Sequence, residues 1–96
     1  MRQRGERYWA WADPALHCRT HDETLDNGTT IDVQVRLSTS GVTQMFIGVY
    51  AASGMHIFEE VCDSRPGESM IRALAWGVGR ARRVAREAVL QKVERE

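Results

Sequence analysis

The sequence is short of most features that announce a function. It holds two cysteines, Cys18 and Cys62, too few for a disulfide scaffold and without the Cys-x-x-Cys spacing of a structural metal site. Two isolated thiols fit a reducing compartment, where they stay free. Two prolines and eight glycines in 96 residues exclude a collagen-like or low-complexity chain. No stretch approaches the roughly 18 uninterrupted apolar residues of a membrane span. The start, MRQRGERYWAWADP, lacks an apolar run of signal-peptide length. These absences predict a cytoplasmic protein with no membrane partner. Net charge is lacking too: 13 basic residues stand against 13 acidic ones, which excludes a uniformly basic nucleic-acid binder.

What is present is a hydrophobic fraction of 43%, enough for one compact core. A chain of this length buries only about 60–65% of its unfolded surface, which leaves little room for a deep enclosed active site. One domain spanning residues 1–96 is predicted, of bacterial type. Its neutrality hides a partition. Residues 1–7 carry three bases against one acid, residues 8–71 three against nine, and residues 72–96 seven against three. A chain with basic ends and an acidic middle can pair these regions internally or between copies. Twelve of the 13 bases are arginine, which a GC-rich coding bias explains as readily as chemistry, so only their placement carries weight.

The clearest local pattern is alternation from Thr30 to Leu37, with Ile31, Val33, Val35 and Leu37 on one face and Thr30, Asp32, Gln34 and Arg36 on the other. That is a half-buried strand. Asn27-Gly28 before it is a turn signal, and Ser38-Thr39-Ser40-Gly41 after it has hairpin length. Val42–Ala51 reads as the central strand, with Met45, Ile47 and Val49 opposite Phe46, Gly48 and Tyr50. After Ala52-Ser53-Gly54, Met55–Cys62 gives a third strand of ambiguous sidedness, because Met55, Ile57 and Val61 share a face with Glu59.

The stretch Asp63-Ser64-Arg65-Pro66-Gly67-Glu68 then offers a capping side chain, a first-turn proline and an acid suited to the helix dipole. A long helix over 65–93 follows. Its apolar arc is Met70, Ile71, Leu74, Gly77, Val78, Ala81, Ala85, Ala88 and Val89, with Val84 at the edge. A glycine inside a helix costs about 1 kcal/mol relative to alanine, so Gly77 on the packing face points to a steric requirement. Toward the N-terminus, Asp13-Pro14 signals a short helix over 14–24, preceded by an arm, 1–13, in which Tyr8-Trp9-Ala10-Trp11-Ala12 is either a strand with both tryptophans on one side or an extended segment. The expected fold is therefore α+β: a three-stranded antiparallel meander over 29–62, packed by one long C-terminal helix, in α-β-β-β-α order.

Few constellations carry chemistry. His17 and His21, spaced i, i+4 with Cys18 between them, would share one helix face and could ligate zinc with a distant Cys62 or His56; a solvated face is the commoner meaning of that spacing. Cys62 sits where a strand meets a helix N-terminus, which lowers a thiol pKa, while Asp63 acts in the opposite direction. A base at His56 would be on the same face only if the third strand is regular, and no carboxylate pair, Ser/His/Asp set or phosphate loop accompanies it. No catalytic residue and no cofactor are expected.

The more informative residue is Trp76, opposite the apolar arc and flanked by Arg72, Arg80 and Arg83. An outward tryptophan among arginines is an interface signature. The alternative is that the chain's own Tyr8, Trp9 and Trp11 cover it. Phe46 and Tyr50 on the second sheet face pose the same choice, since sheet aromatics can stack bases, yet Asp32, Gln34 and Glu60 beside them would repel phosphate. The element order resembles that of double-stranded RNA-binding domains over residues 14–93. In that family a lysine-rich start to the last helix grips phosphates, whereas Gly67-Glu68-Ser69-Met70-Ile71-Arg72 holds one base and one acid. The expectation is a non-enzymatic interaction or regulatory module that self-associates, or binds another protein, through Trp76, Arg72, Arg80, Arg83, Phe46, Tyr50, Trp9 and Trp11, with RNA binding as the alternative.

Overall fold

The computed structural model describes residues 3–62, 64 and 69–94, with side chains in the last helix through residue 87. Its elements are α1 (Glu6–Trp11), β1 (Cys18–Thr24), β2 (Thr30–Leu37), β3 (Thr43–Tyr50), β4 (His56–Cys62) and α2 (Met70–Glu94). The four strands form one antiparallel sheet in the order β1-β2-β3-β4. The alternation read in β2 organises it. Ile31, Val33 and Val35 join Met45, Ile47 and Val49 of β3 in a fully buried face, over which α2 lays Ala73, Gly77, Val78, Ala81 and Ala85.

Gly77 has the steric role expected of it. A Cβ there would come within 2.7 Å of both Met45 Sδ and Val33 Cγ1, so the helix axis sits closer to the sheet than any side chain permits. Ser69 caps this helix, its Oγ accepting the Arg72 backbone N–H at 3.2 Å. The cap expected at Asp63 and the proline at Pro66 lie outside the described residues, as do the side chains of Ala88 and Val89. Ile71 is not in the packing arc. It stands about 120° around the helix from Gly77 and is exposed, while Ala73 takes the buried position.

The meander has four strands rather than three. The segment expected to be a helix over 14–24 is a turn and then, from Cys18, β1, paired residue for residue with β2 from Cys18↔Arg36 to Thr24↔Thr30. Its composition hid it: CRTHDET has no apolar residue besides Cys18, so neither period is visible, and backbone pairing to a strongly patterned neighbour decides its state. The intervening turn is closed by Leu25 N–H donating to Thr29 O (2.8 Å) and Thr29 N–H to Asn27 Oδ1 (2.9 Å).

The helix of the N-terminal region is displaced to Glu6–Trp11, within the arm. As a strand this arm would have put both tryptophans on one side. As a helix it sets Trp9 and Trp11 about 200° apart, and accordingly Trp11 is 5% exposed and Trp9 66%. Tyr8 and Trp11 pack on Phe46, the sheet face opposite α2, at centroid distances of 5.1 and 5.7 Å. The two helices therefore lie on opposite faces of the sheet. The α-β-β-β-α order that resembled double-stranded RNA-binding domains is not the order of this chain.

The sidedness of β4 is settled by a register shift opposite Val49 and Tyr50. Beyond it Phe58, Glu60 and Cys62 align with Val49, Ile47 and Met45 on the α2 face, while Glu59 and Val61 align with Gly48 and Phe46 on the α1 face. Phe58 thus packs with the core beneath α2 instead of joining Phe46 and Tyr50.

Candidate interaction surfaces

A six-residue helix is far below the length at which helices persist alone. α1 exists because the sheet supplies both of its caps. At its N-terminus Glu59, buried on β4, accepts the Gly5 N–H at 2.9 Å and, more weakly, the Tyr8 N–H at 3.4 Å. At its C-terminus the Arg36 guanidinium donates to Trp11 O at 2.5 Å and lies 3.9 Å from the Trp11 ring centroid. A carboxylate at the positive end and a guanidinium at the negative end both complement the helix dipole. Arg36 is aimed by a second bond, Nε to Gln44 Oε1 at 2.8 Å.

Beneath α1 lies a polar network. Arg4 bonds the fully buried Asp32 and donates to Tyr50 Oη at 3.0 Å, and Tyr50 donates to Glu59 Oε2 at 3.0 Å. Burial alone works against the charge of Arg4, but its hydrogen bond to Asp32 and the Asp32 charge outweigh this and hold the guanidinium above its ordinary pKa. Burial pushes the Tyr50 phenol well above its ordinary value of 10.0, against the opposing influence of Arg4. Gly48 makes the arrangement possible, since a Cβ there would stand 2.6 Å from Tyr50 Oη. Phe46, Tyr50 and Trp11, expected as interface residues, are consumed in this closed layer. The basic arm and the acidic middle have paired within one chain.

The C-terminal helix repeats that pairing at two places. Arg80 forks onto Glu60 of β4 with Nε–Oε1 and Nη2–Oε2 distances of 2.5 and 2.9 Å. Arg82 forks onto Glu23 of β1 at 3.1 and 2.6 Å, where His21 Nε2 also donates to Glu23 Oε1 at 2.9 Å. The bond from Arg80 holds the Glu60 carboxyl below its usual range, and the bonds from Arg82 and then His21 hold Glu23 at about 2.

On the back of the helix Trp76 is 46% exposed, with Arg72 and Arg83 exposed beside it and Arg80 at the margin. The described part of the arm, residues 3–13, lies on the other side of the sheet from Trp76. A Cβ on Gly79, next to this stripe, would meet nothing within 4 Å. The other exposed large apolar residues include Trp9, Met55 at 61% just before β4 and Ile57 at 44% at its start.

The expected metal set is taken apart by β1. Cys18 aligns with Arg36 on the α1 face and His21 with Val33 on the α2 face, so the helix geometry that would have brought them together is gone. His17 precedes the strand altogether, while His21 lies within it. Among the described residues no group of three or more His, Cys, Asp or Glu side chains is placed to hold a metal ion. Cys18 and Cys62 are unpaired thiols on opposite faces, and burial raises the Cys18 pKa. His56 aligns with Tyr50 on the α1 face, so it does not stand beside Cys62 on the α2 face. Among the described residues no helix is long and apolar enough to cross a membrane.

Fold and surfaces define a three-layer α+β protein, with a short helix, a four-stranded antiparallel meander and a long helix stacked in that order. Compared with known proteins, the chain matches no family model, no curated protein and no solved structure.

Proposed function

We propose that the protein is a cytoplasmic, non-enzymatic interaction module that works by self-association, with the Arg72/Trp76/Arg80/Arg83 stripe of α2 as its contact surface. The observation that carries the reading is Trp76. It stays 46% exposed in a fold that uses Phe46, Tyr50 and Trp11 internally. Tryptophan and arginine dominate the energetics of protein interfaces, and a central tryptophan carries about 2 kcal/mol or more, roughly 30-fold in Kd. The buried ionisable groups support the non-enzymatic part. Asp32, Tyr50 and Glu59 are engaged in holding the arm.

Light scattering from micromolar to millimolar protein tests this. The expected result is a concentration-dependent dimer that Trp76→Ala shifts to monomer, with Tm unchanged at dilutions where both chains are monomeric. Unchanged mass with lost stability in that variant would place Trp76 in the monomer's own packing and overturn the reading. A gel shift with double-stranded RNA at low and moderate salt tests the nucleic-acid alternative, for which Arg72 and Arg83 supply exposed bases.

A further inference from the structure

The two edges of the sheet are unlike. β1 presents Arg19, Thr20, His21, Asp22, Glu23 and Thr24, an edge blunted by polar and charged side chains. β4 carries Ile57, Phe58 and Val61, with Ile57 exposed at its start and Met55 exposed just before it. The helix stripe named above belongs to the β4 side. Arg80 reaches β4 while Arg82, about 200° around the helix, reaches β1 on the far edge. Trp76, one turn before Arg80, therefore overhangs the β4 flank. Strand edge and tryptophan form one continuous side of the molecule.

Resting on the self-association just proposed, we infer that β4 pairs antiparallel with β4 of a second copy, giving an eight-stranded sheet with both α2 helices on one face and the two Trp76 stripes facing each other. Symmetry and register select the pairing. A two-fold axis normal to the sheet keeps each face on its own side, and residues opposite each other in an antiparallel pair point to the same face. The axis must then pass midway between two copies of the same residue, so that one residue of the strand opposes itself. The regular part of β4 after its register shift is Phe58 to Cys62, whose middle residue is Glu60. Centred there, Phe58 opposes Cys62 of the second copy beneath the helices, and Glu59 opposes Val61 beneath the α1 layers.

Charge complementarity favours a second copy over a foreign strand. Two Glu60 carboxylates opposite each other would repel if bare, but each is already forked by its own Arg80, and both pairs are about one-third exposed. Across the axis they form a ring of two carboxylates and two guanidiniums with no net charge. Glu59, the other acid of the strand, is turned under α1 and held by the Gly5 N–H and Tyr50 Oη. The edge thus offers a second copy apolar side chains and an open backbone ladder, with Glu60 balanced by Arg80 and, through its charge, by Arg7 of α1.

Cross-linking tests the geometry independently of the mass. Opposed residues in such a pair have Cα atoms about 4.5–5.5 Å apart, within disulfide range. In a C18S/C62S background, E60C should oxidise to a covalent dimer across the axis, and T20C on the opposite edge should not. E60R should lower the dimer fraction at least tenfold by placing four guanidiniums on the axis, and the swap E60R/R80E should restore it, with circular dichroism confirming that each variant folds. A dimer by mass that E60C fails to link, or that T20C links instead, overturns the β4 pairing and leaves self-association standing. A chain monomeric at every concentration overturns both.

Discussion

Truncating Glu59 to alanine is the sharpest test of how the N-terminal layer is held. Its carboxylate accepts the Gly5 N–H at 2.9 Å and the Tyr50 hydroxyl at 3.0 Å, both in buried surroundings, with a weak third bond from Tyr8 at 3.4 Å. Two good bonds to a charged acceptor contribute about 1.5–3 kcal/mol each, and removing the acceptor leaves two buried donors unpaired. The 3.4 Å contact adds little. Glu59→Ala should therefore cost about 3–5 kcal/mol, a large fraction of the roughly 5–15 kcal/mol that holds a domain of this kind together. Glu59→Gln keeps shape and one acceptor and should cost about half as much. Urea unfolding followed by tryptophan fluorescence measures both. Proteolysis at the Ala12–Leu16 connection reports whether α1 has come away from an otherwise intact sheet. A loss below about 1 kcal/mol with the arm still protected would refute the idea that a β4 side chain caps α1.

Other expectations follow from the same contacts. Gly77→Ala should destabilise by about 1–3 kcal/mol through overpacking on Met45 and Val33, although the same exchange in an unpacked helix is favourable; a Tm at or above that of the parent would contradict the close approach. Tyr50 is raised in the folded state, so the unfolded chain loses its phenol proton first, and stability should be complete below pH 10.0 and fall as pH climbs past it; Tyr50→Phe should remove that alkaline limb in a pH-resolved denaturation series. Glu23 is depressed from 4.5 to about 2, so its contribution is present above pH 4.5 and is lost as pH falls through that interval. Arg82→Ala should flatten this acid limb, and an unaltered limb would show that the fork is not held in solution.

How much could be read in advance depended on whether a segment carried its own pattern. β2 and β3 did, with apolar residues on every second position, and the helix did, down to the close approach at Gly77. β1 did not. Seven residues with no apolar alternation are held as a strand only by the backbone of β2, and Asp13-Pro14 followed by an i, i+4 histidine pair imitated a helix start. α1 was hidden for a related reason, because its caps, Glu59 and Arg36, come from strands far along the chain. No local signal marks a cap donated from another element. The interface candidates divided along the same line. Trp76 could be placed from the helical period alone, whereas the fates of Trp9 and Trp11 turned on whether their segment had period 2 or 3.6.

The two arginine forks have a consequence for how α2 can move. Arg80 and Arg82 act as guy-lines on opposite flanks, one anchored to each outer strand of the sheet. Rolling the helix about its own axis would slacken one line and stretch the other. The direction in which Trp76 faces is therefore set in part by Glu23, on the strand farthest from it. A change on the β1 margin, with no contact to the tryptophan, would release one of the two flanks of the helix that presents it.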